Sequence, residues 1–152
     1  MKNSMLLTAC ASIAMFATVA VGEVGPNEVV FTDYGSVESS LTGVAGDPVN
    51  GAAVFKNRKK GNCLACHTNS DMMDQLFHGE VGPSLDGAGS RWDEAELRGL
   101  LTNSKNTFDG TMMPGFYVDM GFTRVWEKFE GETILTAQEV EDVLAYVQSL
   151  TE

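Results

Sequence analysis

The chain has 152 residues, of which 43% are hydrophobic, and this length suits one domain with a buried core. Its 21 acidic residues outnumber its 10 lysines and arginines, so the formal net charge is −11. We expect no nucleic-acid partner, because phosphate contacts require a basic face.

Residues 1–22 predict a secretory signal peptide. Lys2 is followed by the uncharged stretch MLLTACASIAMFATVAVG, which ends in small residues, as export signals do. This run is short for a transmembrane helix, which needs about 20 apolar residues, so we expect no membrane span. The sequence LTAC ending at Cys10 resembles a lipoprotein cleavage site, but apolar residues continue well beyond it.

Only two cysteines, Cys63 and Cys66, would remain after cleavage of this signal. Such a pair gives no disulfide framework that could replace a hydrophobic core. The core must therefore come from packing or from a bound group.

Residues 23–47 read as a polar N-terminal extension that precedes the main domain at 48–152. Within it, EVVFTD suggests a short strand and GSVESSLTGVAG suggests turns and loops. Because residues 23–45 lack a core pattern, we expect this segment to become ordered only against a partner.

The first helix is predicted within GDPVNGAAVFKNRKKG. Asp47 can cap it, Pro48 suits its first turn, and Gly61 is a natural stop. Its expected apolar side consists of Val49, Ala52, Ala53 and Phe55. A basic cluster, Lys56, Arg58, Lys59 and Lys60, would then lie in the last turn, where cations interact favourably with the helix dipole.

Two further helices are indicated by capping boxes. Asp93 and Glu96 have the reciprocal spacing at the start of WDEAELRGLLTNS, as do Thr136 and Glu139 before the final helix. The apolar residues that recur at helical spacing are Leu97, Leu100 and Leu101 in the middle helix, and Val140, Val143, Leu144, Val147 and Leu150 in the last. The expected fold is all-α, with long Gly-rich loops that need a packing partner in the interior.

The stretch GNCLACH, residues 61–67, is the strongest chemical signal. A disulfide across three residues would constrain little, and a thioredoxin-like redox pair needs a βαβ context that is absent from the pattern. Zinc could use Cys63, Cys66, His67 and His78, but adjacent residues rarely bind one metal together. The spacing C-x-x-C-H instead indicates covalent attachment of haem c, with the two sulfurs and His67 on one helical face.

A second axial ligand is suggested by TMMPGFY. A methionine thioether favours the ferrous state, and Pro114 stiffens the chain beside Met113, so we expect Met113 rather than Met112 to ligate the iron. The Pro83 carbonyl is a candidate acceptor for the other ring nitrogen of His67. His78 reads as a loop histidine, and Arg91 and Trp92 could either contact the haem propionates or cap the middle helix.

Together, Gly51 and Phe55 in the first helix, CLACH, GPSL, MMPGFY and Tyr146 in the last helix resemble a class I cytochrome c. The resemblance covers roughly residues 48–152. It implies a small helical domain around one covalent haem, in which the first and last helices cross at Gly51, with Phe55 and Tyr146 packed there.

A narrower resemblance is to the X subunit of the SoxAX cytochrome, carried by SLTGVAGDPVNGAAVF, HGEVGPSLDG and FEGETILTAQEVEDVLAYVQSL. It implies a periplasmic heterodimer with a SoxA-like cytochrome subunit, forming an L-cysteine S-thiosulfotransferase complex that couples thiosulfate oxidatively to a cysteine of a SoxYZ-like carrier. The catalytic centre is then expected on the partner subunit. This chain would pass electrons to a small soluble cytochrome c, through a haem held by Cys63, Cys66, His67 and Met113.

Two features then have a second interpretation. The basic cluster could steer an acidic electron acceptor, and some of the aromatic residues after Met113 could form a docking face for the SoxA-like subunit rather than core. These aromatics are Phe116, Tyr117, Phe122, Trp126 and Phe129. The alternative functions are a free-standing periplasmic cytochrome c shuttle and a haem enzyme or gas sensor with an open iron.

Overall fold

A computed structural model describes residues 22–152, so the predicted signal peptide lies outside the described residues except for Gly22. Residues 22–152 contain four α-helices: α1 (Pro48–Lys56), α2 (Ala88–Arg91), α3 (Glu94–Asn103) and α4 (Ala137–Ser149). Single turns of 3-10 helix occur at Cys63–Ala65, Ser70–Met72, Ser104–Asn106 and Glu127–Phe129. No strand occurs within residues 22–152, so the all-α prediction is confirmed and the strand expected at EVVFTD is wrong.

Both predicted capping boxes are formed. The Asp93 carboxylate accepts from the Glu96 amide at the start of α3, and the Thr136 hydroxyl accepts from the Glu139 amide at the start of α4. In each case the glutamate also accepts from the amide of the cap residue, so two orphan donors are satisfied. Every predicted apolar residue of these two helices is buried.

Helices α1 and α4 cross in direct backbone contact at Gly51. A Cβ at this position would lie 1.9 Å from the Asp142 carbonyl oxygen, so only glycine permits the observed approach. Beside the crossing, the Phe55 and Tyr146 rings meet edge to face, with centroids 5.3 Å apart. Asp142 accepts hydrogen bonds from the Asp47 amide and the Asn50 side chain, which fixes the first turn of α1 against α4.

The predicted apolar face and end of α1 are partly wrong. The buried residues are Gly51, Val54 and Phe55, whereas Val49 is 78% exposed. The buried face is therefore centred on the glycine that contacts α4. The helix also ends at Lys56, before Gly61, because Asn57 is extended. The other three cations of the basic cluster thus lie in the following turn. They are outside the last turn of α1, where a favourable interaction with the helix dipole was expected.

Residues 23–45 pack against the rest of the chain. This corrects the expectation that they become ordered only against a partner. Val37 and Leu41 are 3% and 1% exposed and belong to the main hydrophobic core. The Val37 amide donates to the Ala95 carbonyl of α3, and the Val24 amide donates to the Leu41 carbonyl. The segment is a strap packed on α3 and α4, and its two core residues are too widely spaced to give a periodic signal.

A buried ion pair joins this strap to both helices. Arg98 of α3 and Glu141 of α4 are 2% and 4% exposed, and Arg98 Nε donates to Glu141 Oε1 at 2.9 Å. Arg98 Nη1 also donates to the Val37 carbonyl at 3.0 Å, and Glu141 Oε1 accepts from the Leu41 amide at 2.7 Å. Burial alone would lower the pKa of Arg98, but the hydrogen bonds and charges of Glu141 and Glu94 outweigh it and raise that pKa.

Replacing Leu41 with alanine tests whether the strap is part of the core. We expect the free energy of unfolding to fall by about 2–5 kcal/mol, because a fully buried side chain would leave a cavity. The measurement is urea unfolding of the haem-loaded protein, with Val30→Ala as control, since Val30 is 82% exposed in the same segment. Equal, small effects of both substitutions would show that the strap contributes nothing to the core.

Candidate cofactor site

The two cysteines flank one turn of 3-10 helix. Asn62, in the left-handed conformation with φ 50°, starts the turn, and both the Cys66 and His67 amides donate to the Cys63 carbonyl at 3.1 and 3.0 Å. Cys63 is half-buried and Cys66 is exposed. Burial raises the pKa of the Cys63 thiol to about 12. One tight turn therefore supplies the two sulfurs and the imidazole. The sequence had predicted that these groups would lie on one face of a longer helix.

His67 is oriented as a metal-ligating histidine would be. Its Nδ1 lies 2.7 Å from the Pro83 carbonyl oxygen, as the sequence predicted. Because a carbonyl can only accept, Nδ1 carries the proton and Nε2 keeps its lone pair for a metal. The ring also lies against Gly82, where a Cβ would be 2.4 Å from His67 Cε1. Apart from its place before Pro83, Gly82 has no feature in the sequence that would have predicted this contact.

Main-chain hydrogen bonds hold the chain after this turn against the turn itself. The Gly79 amide donates to the Leu64 carbonyl and the Gly82 amide donates to the Cys66 carbonyl, both at 2.8 Å. Arg91 donates to the carbonyls of Asp86 and Ser84, so its guanidinium fixes the following turn. The Pro83 carbonyl that orients His67 is thus itself rigidly placed.

A polar network that sequence reasoning missed connects this region to α4. The Tyr146 hydroxyl donates to the Asp71 carboxylate and accepts from the Asn69 side-chain amide, both at 2.8 Å, and Asn69 is fully buried. Burial and the Asp71 carboxylate raise the pKa of Tyr146, so it stays a neutral donor. Tyr146 therefore anchors the site as well as packing on Phe55.

Both ring nitrogens of His78 face main-chain groups within hydrogen-bond distance. Its Nδ1 accepts from the Asn69 amide at 3.3 Å, and its Nε2 lies 3.1 Å from the Met72 carbonyl. Within residues 22–152, no group of three or more histidine, cysteine or acidic side chains is arranged to bind a metal ion. The zinc alternative, which needed His78 as a fourth ligand, therefore gains no support from the described residues.

The Met113 loop is fixed through its main chain. Ser104 Oγ donates to the Met113 carbonyl at 2.7 Å, and Lys105 Nζ donates to the same oxygen at 2.6 Å. The Met113 side chain is partly buried against the core, whereas Met112 is 82% exposed. Of the two methionines, Met113 is the one held in a defined position beside the core. The roles of Ser104 and Lys105 were not predicted.

The aromatic residues after Met113 divide into two groups. Phe116 and Tyr117 are 5% and 3% exposed and belong to the core. Phe122, Trp126 and Phe129 remain exposed, and the Lys128 ammonium lies 4.6 Å from the Trp126 ring centroid. Trp92 packs edge to face on Phe108, with ring centroids 6.1 Å apart, so it shields the start of α3.

Comparison with known proteins identifies the family. The family model described as cytochrome c matches residues 48–151. The chain belongs to the cytochrome c family. Among solved structures, it is similar to a chain of the "Crystal structure of SoxXA from P. pantotrophus", with 45% identity and a TM-score of 0.80, covering 86% of this chain and 100% of that chain. No curated protein sequence matches this chain.

The chain is a class I c-type cytochrome close to SoxX, and its cofactor is covalently bound haem c. The residues present fit this cofactor. Cys63 and Cys66 could form the thioether links, and the unprotonated Nε2 of His67 could ligate the iron. Among the helices of residues 22–152, none has the length and apolarity needed to cross a bilayer.

Replacing Gly82 with alanine tests the orientation of His67. The added Cβ would meet the imidazole at 2.4 Å, so we expect the ring to leave the Pro83 carbonyl and the visible absorption spectrum of the haem protein to change. Gly25→Ala is the control, because the three atoms nearest to its Cβ would all belong to the flexible Glu28 side chain. An unchanged spectrum in Gly82→Ala would show that this contact does not set the ligand geometry.

Proposed function

We propose that this chain is the monohaem electron-transfer subunit of a periplasmic SoxAX-like complex. Cys63 and Cys66 would attach the haem, and His67 and Met113 would ligate its iron. When bound, the haem supplies a reversible one-electron couple. The supporting observation is the His67 imidazole, with Nδ1 held by the Pro83 carbonyl beside the paired cysteines, in a chain 45% identical to one in the SoxXA structure.

Each site residue has a separate part in this proposal. The Pro83 carbonyl fixes the tautomer and raises the basicity of His67, and Gly82, which has no Cβ, leaves space for the ring. Ser104 and Lys105 hold the Met113 main chain, so its thioether needs little ordering to ligate the iron. A thioether ligand favours the reduced state and suits acceptance of an electron.

The proposed reaction belongs to the complex. A SoxA-like cytochrome subunit carries the centre at which thiosulfate is coupled oxidatively to a cysteine of a SoxYZ-like carrier, and two electrons are released. This chain keeps only Cys63 and Cys66 after export, and both are used for haem attachment. Its own part is therefore electron transfer to a small soluble cytochrome c. We propose residues 1–22 as the signal peptide, 23–47 as the extension and 48–152 as the cytochrome domain.

The exposed aromatic patch supports the inference that this chain binds a stable partner. The patch consists of Phe122, Trp126 and Phe129. Aromatic side chains are enriched at protein interfaces. Here the exposed Trp126 and Phe129 rings meet edge to face with centroids 5.7 Å apart, and Phe122 is exposed in the same segment. We propose this patch as the contact with the SoxA-like subunit.

Co-expression with a SoxA-like subunit tests the proposal. We expect a stable heterodimer whose haem at this chain is reduced when thiosulfate and a SoxYZ-like carrier are added together. Omission of the carrier is the control and should abolish the reduction. A chain that purifies alone and exchanges electrons with several unrelated redox proteins would favour the free-standing shuttle instead.

A further inference from the structure

A surface pocket of about 350 Å³ lies beside the haem-attachment turn. Its lining residues come from three places: Lys56 at the end of α1 with Arg58 in the following turn, Leu64 and Ala65 between the two cysteines, and Leu76 and Phe77 in the loop that follows. No carboxylate lines this pocket. We call it the attachment-side pocket. Because Leu64 and Ala65 separate Cys63 from Cys66, it borders the edge at which the haem is attached.

The positive charge of this acidic chain is concentrated in residues 56–60, and two of these residues, Lys56 and Arg58, line the attachment-side pocket. Nine of the ten lysines and arginines lie beyond the predicted signal peptide, and four of them are in residues 56–60. Elsewhere, Arg98 is buried with Glu141, while Arg91 and Lys105 donate to main-chain carbonyls. Lys60 pairs with Glu139, but no ion pair of residues 22–152 involves Lys56, Arg58 or Lys59.

Two large apolar side chains project at the same place. Leu76 is 74% exposed and Phe77 is 80% exposed. Phe77 has φ +67°, a left-handed conformation that is unusual for an aromatic residue. The Arg58 guanidinium lies 5.9 Å from the centroid of its ring. An exposed phenylalanine in a strained conformation beside unpaired cations is more easily explained by a contact than by stability of the isolated chain.

We propose that the attachment-side pocket docks the electron acceptor, and that this acceptor presents an acidic surface around an apolar contact. The inference rests on the proposed electron-transfer function. A small apolar centre beside uncompensated cations suits a transient redox contact, in which complementary charge speeds association and a small buried area permits rapid release. The acidic remainder of the chain would repel such an acceptor, so productive encounters would be directed to this one face.

Electron-transfer kinetics of the haem-loaded chain test the proposal. The dithionite-reduced protein is mixed in a stopped-flow apparatus with a small acidic c-type cytochrome, a small basic one, or benzoquinone as an uncharged oxidant. We expect Lys56→Glu/Lys59→Glu to slow oxidation by the acidic cytochrome roughly tenfold at low salt and to reduce its salt dependence. Leu76→Ser should slow the same reaction while leaving its salt dependence unchanged. Oxidation by benzoquinone should be the same for all variants.

The matched control is Val30→Glu/Tyr34→Glu/Arg124→Asp, which changes the net charge equally on exposed residues outside the pocket. Equal slowing by this variant and by Lys56→Glu/Lys59→Glu would overturn the proposal, because net charge alone would then explain the effect. So would a wild-type chain that reacts with benzoquinone but not with the acidic cytochrome. Loss of the SoxA-like subunit from the Lys56→Glu/Lys59→Glu complex would assign the pocket to the heterodimer, and a wild-type self-dimer dissolved by the same change would assign it to a second copy.

These outcomes are separate from those of the proposed function. A heterodimer that is not reduced by thiosulfate and carrier would contradict the place of the chain in that reaction. The localised charge effect on oxidation by the acidic cytochrome would still be measured on the same protein and would still decide where the acceptor docks.

Discussion

Replacing Arg98 with methionine is expected to lower the free energy of unfolding by about 3–5 kcal/mol, since Glu141 would be left as a buried, uncompensated charge. The loss should be large because three parts of the chain meet at this pair. Arg98 donates to the Val37 carbonyl of the strap, and Glu141 accepts from the Leu41 amide. The measurement is urea unfolding of the haem-loaded protein followed by far-ultraviolet circular dichroism.

The double variant Arg98→Met/Glu141→Gln separates the charge from the hydrogen bonds. A neutral glutamine can still accept from the Leu41 amide but carries no buried charge, so it should recover part of the lost stability. A surface pair is the control: Lys60 and Glu139 are bonded on the exposed side, and Lys60→Met should cost less than about 1 kcal/mol. A cost this small for Arg98→Met would show that Glu141 reaches water when its partner is lost.

Replacing Met113 with alanine is expected to leave the haem attached but to change its spectrum and lower its reduction potential. Loss of a thioether removes the ligand that favours the ferrous state, within the roughly 0.8 V over which axial ligands set haem potentials. The ferrous variant should then bind carbon monoxide, which the wild type should not. The measurements are visible absorption with and without carbon monoxide, and a redox titration.

Met112→Ala is the matched control for this change. Met112 is adjacent in sequence but 82% exposed, whereas Met113 is partly buried and its carbonyl is bonded by Ser104 and Lys105. The Met112 variant should therefore keep the wild-type spectrum and potential. A low-spin spectrum retained in Met113→Ala but lost in Met112→Ala would assign the ligand to the other methionine.

Local signals in the sequence predicted α3 and α4 well. Both helices begin with a complete capping box and then bury a regular apolar stripe, so the pattern within each segment agrees with its place in the fold. The cofactor turn was predicted equally well from the sequence, because the C-x-x-C-H motif and Pro83 lie within one short stretch of the chain. The contact between His67 Nδ1 and Pro83 confirms that expectation.

The errors occurred where burial depends on distant parts of the chain. On α1, hydrophobicity pointed to Val49, but the interior face is centred on Gly51, because a glycine lets the α4 backbone approach. In the strap, only Val37 and Leu41 enter the core, too few to form a pattern. Arg98 and Glu141 could not be predicted as buried, because each is acceptable in the interior only when the other is present.

The most direct test is a mass spectrum of the tryptic peptide covering residues 61–91, taken from protein exported by cells that mature c-type cytochromes. This peptide contains Cys63, Cys66 and His67. It should carry the added mass of one haem under denaturing conditions, and Cys63→Ala/Cys66→Ala should lose that mass. An unmodified peptide with two free thiols from a fully exported wild-type chain would contradict the covalent attachment on which the proposed electron transfer depends.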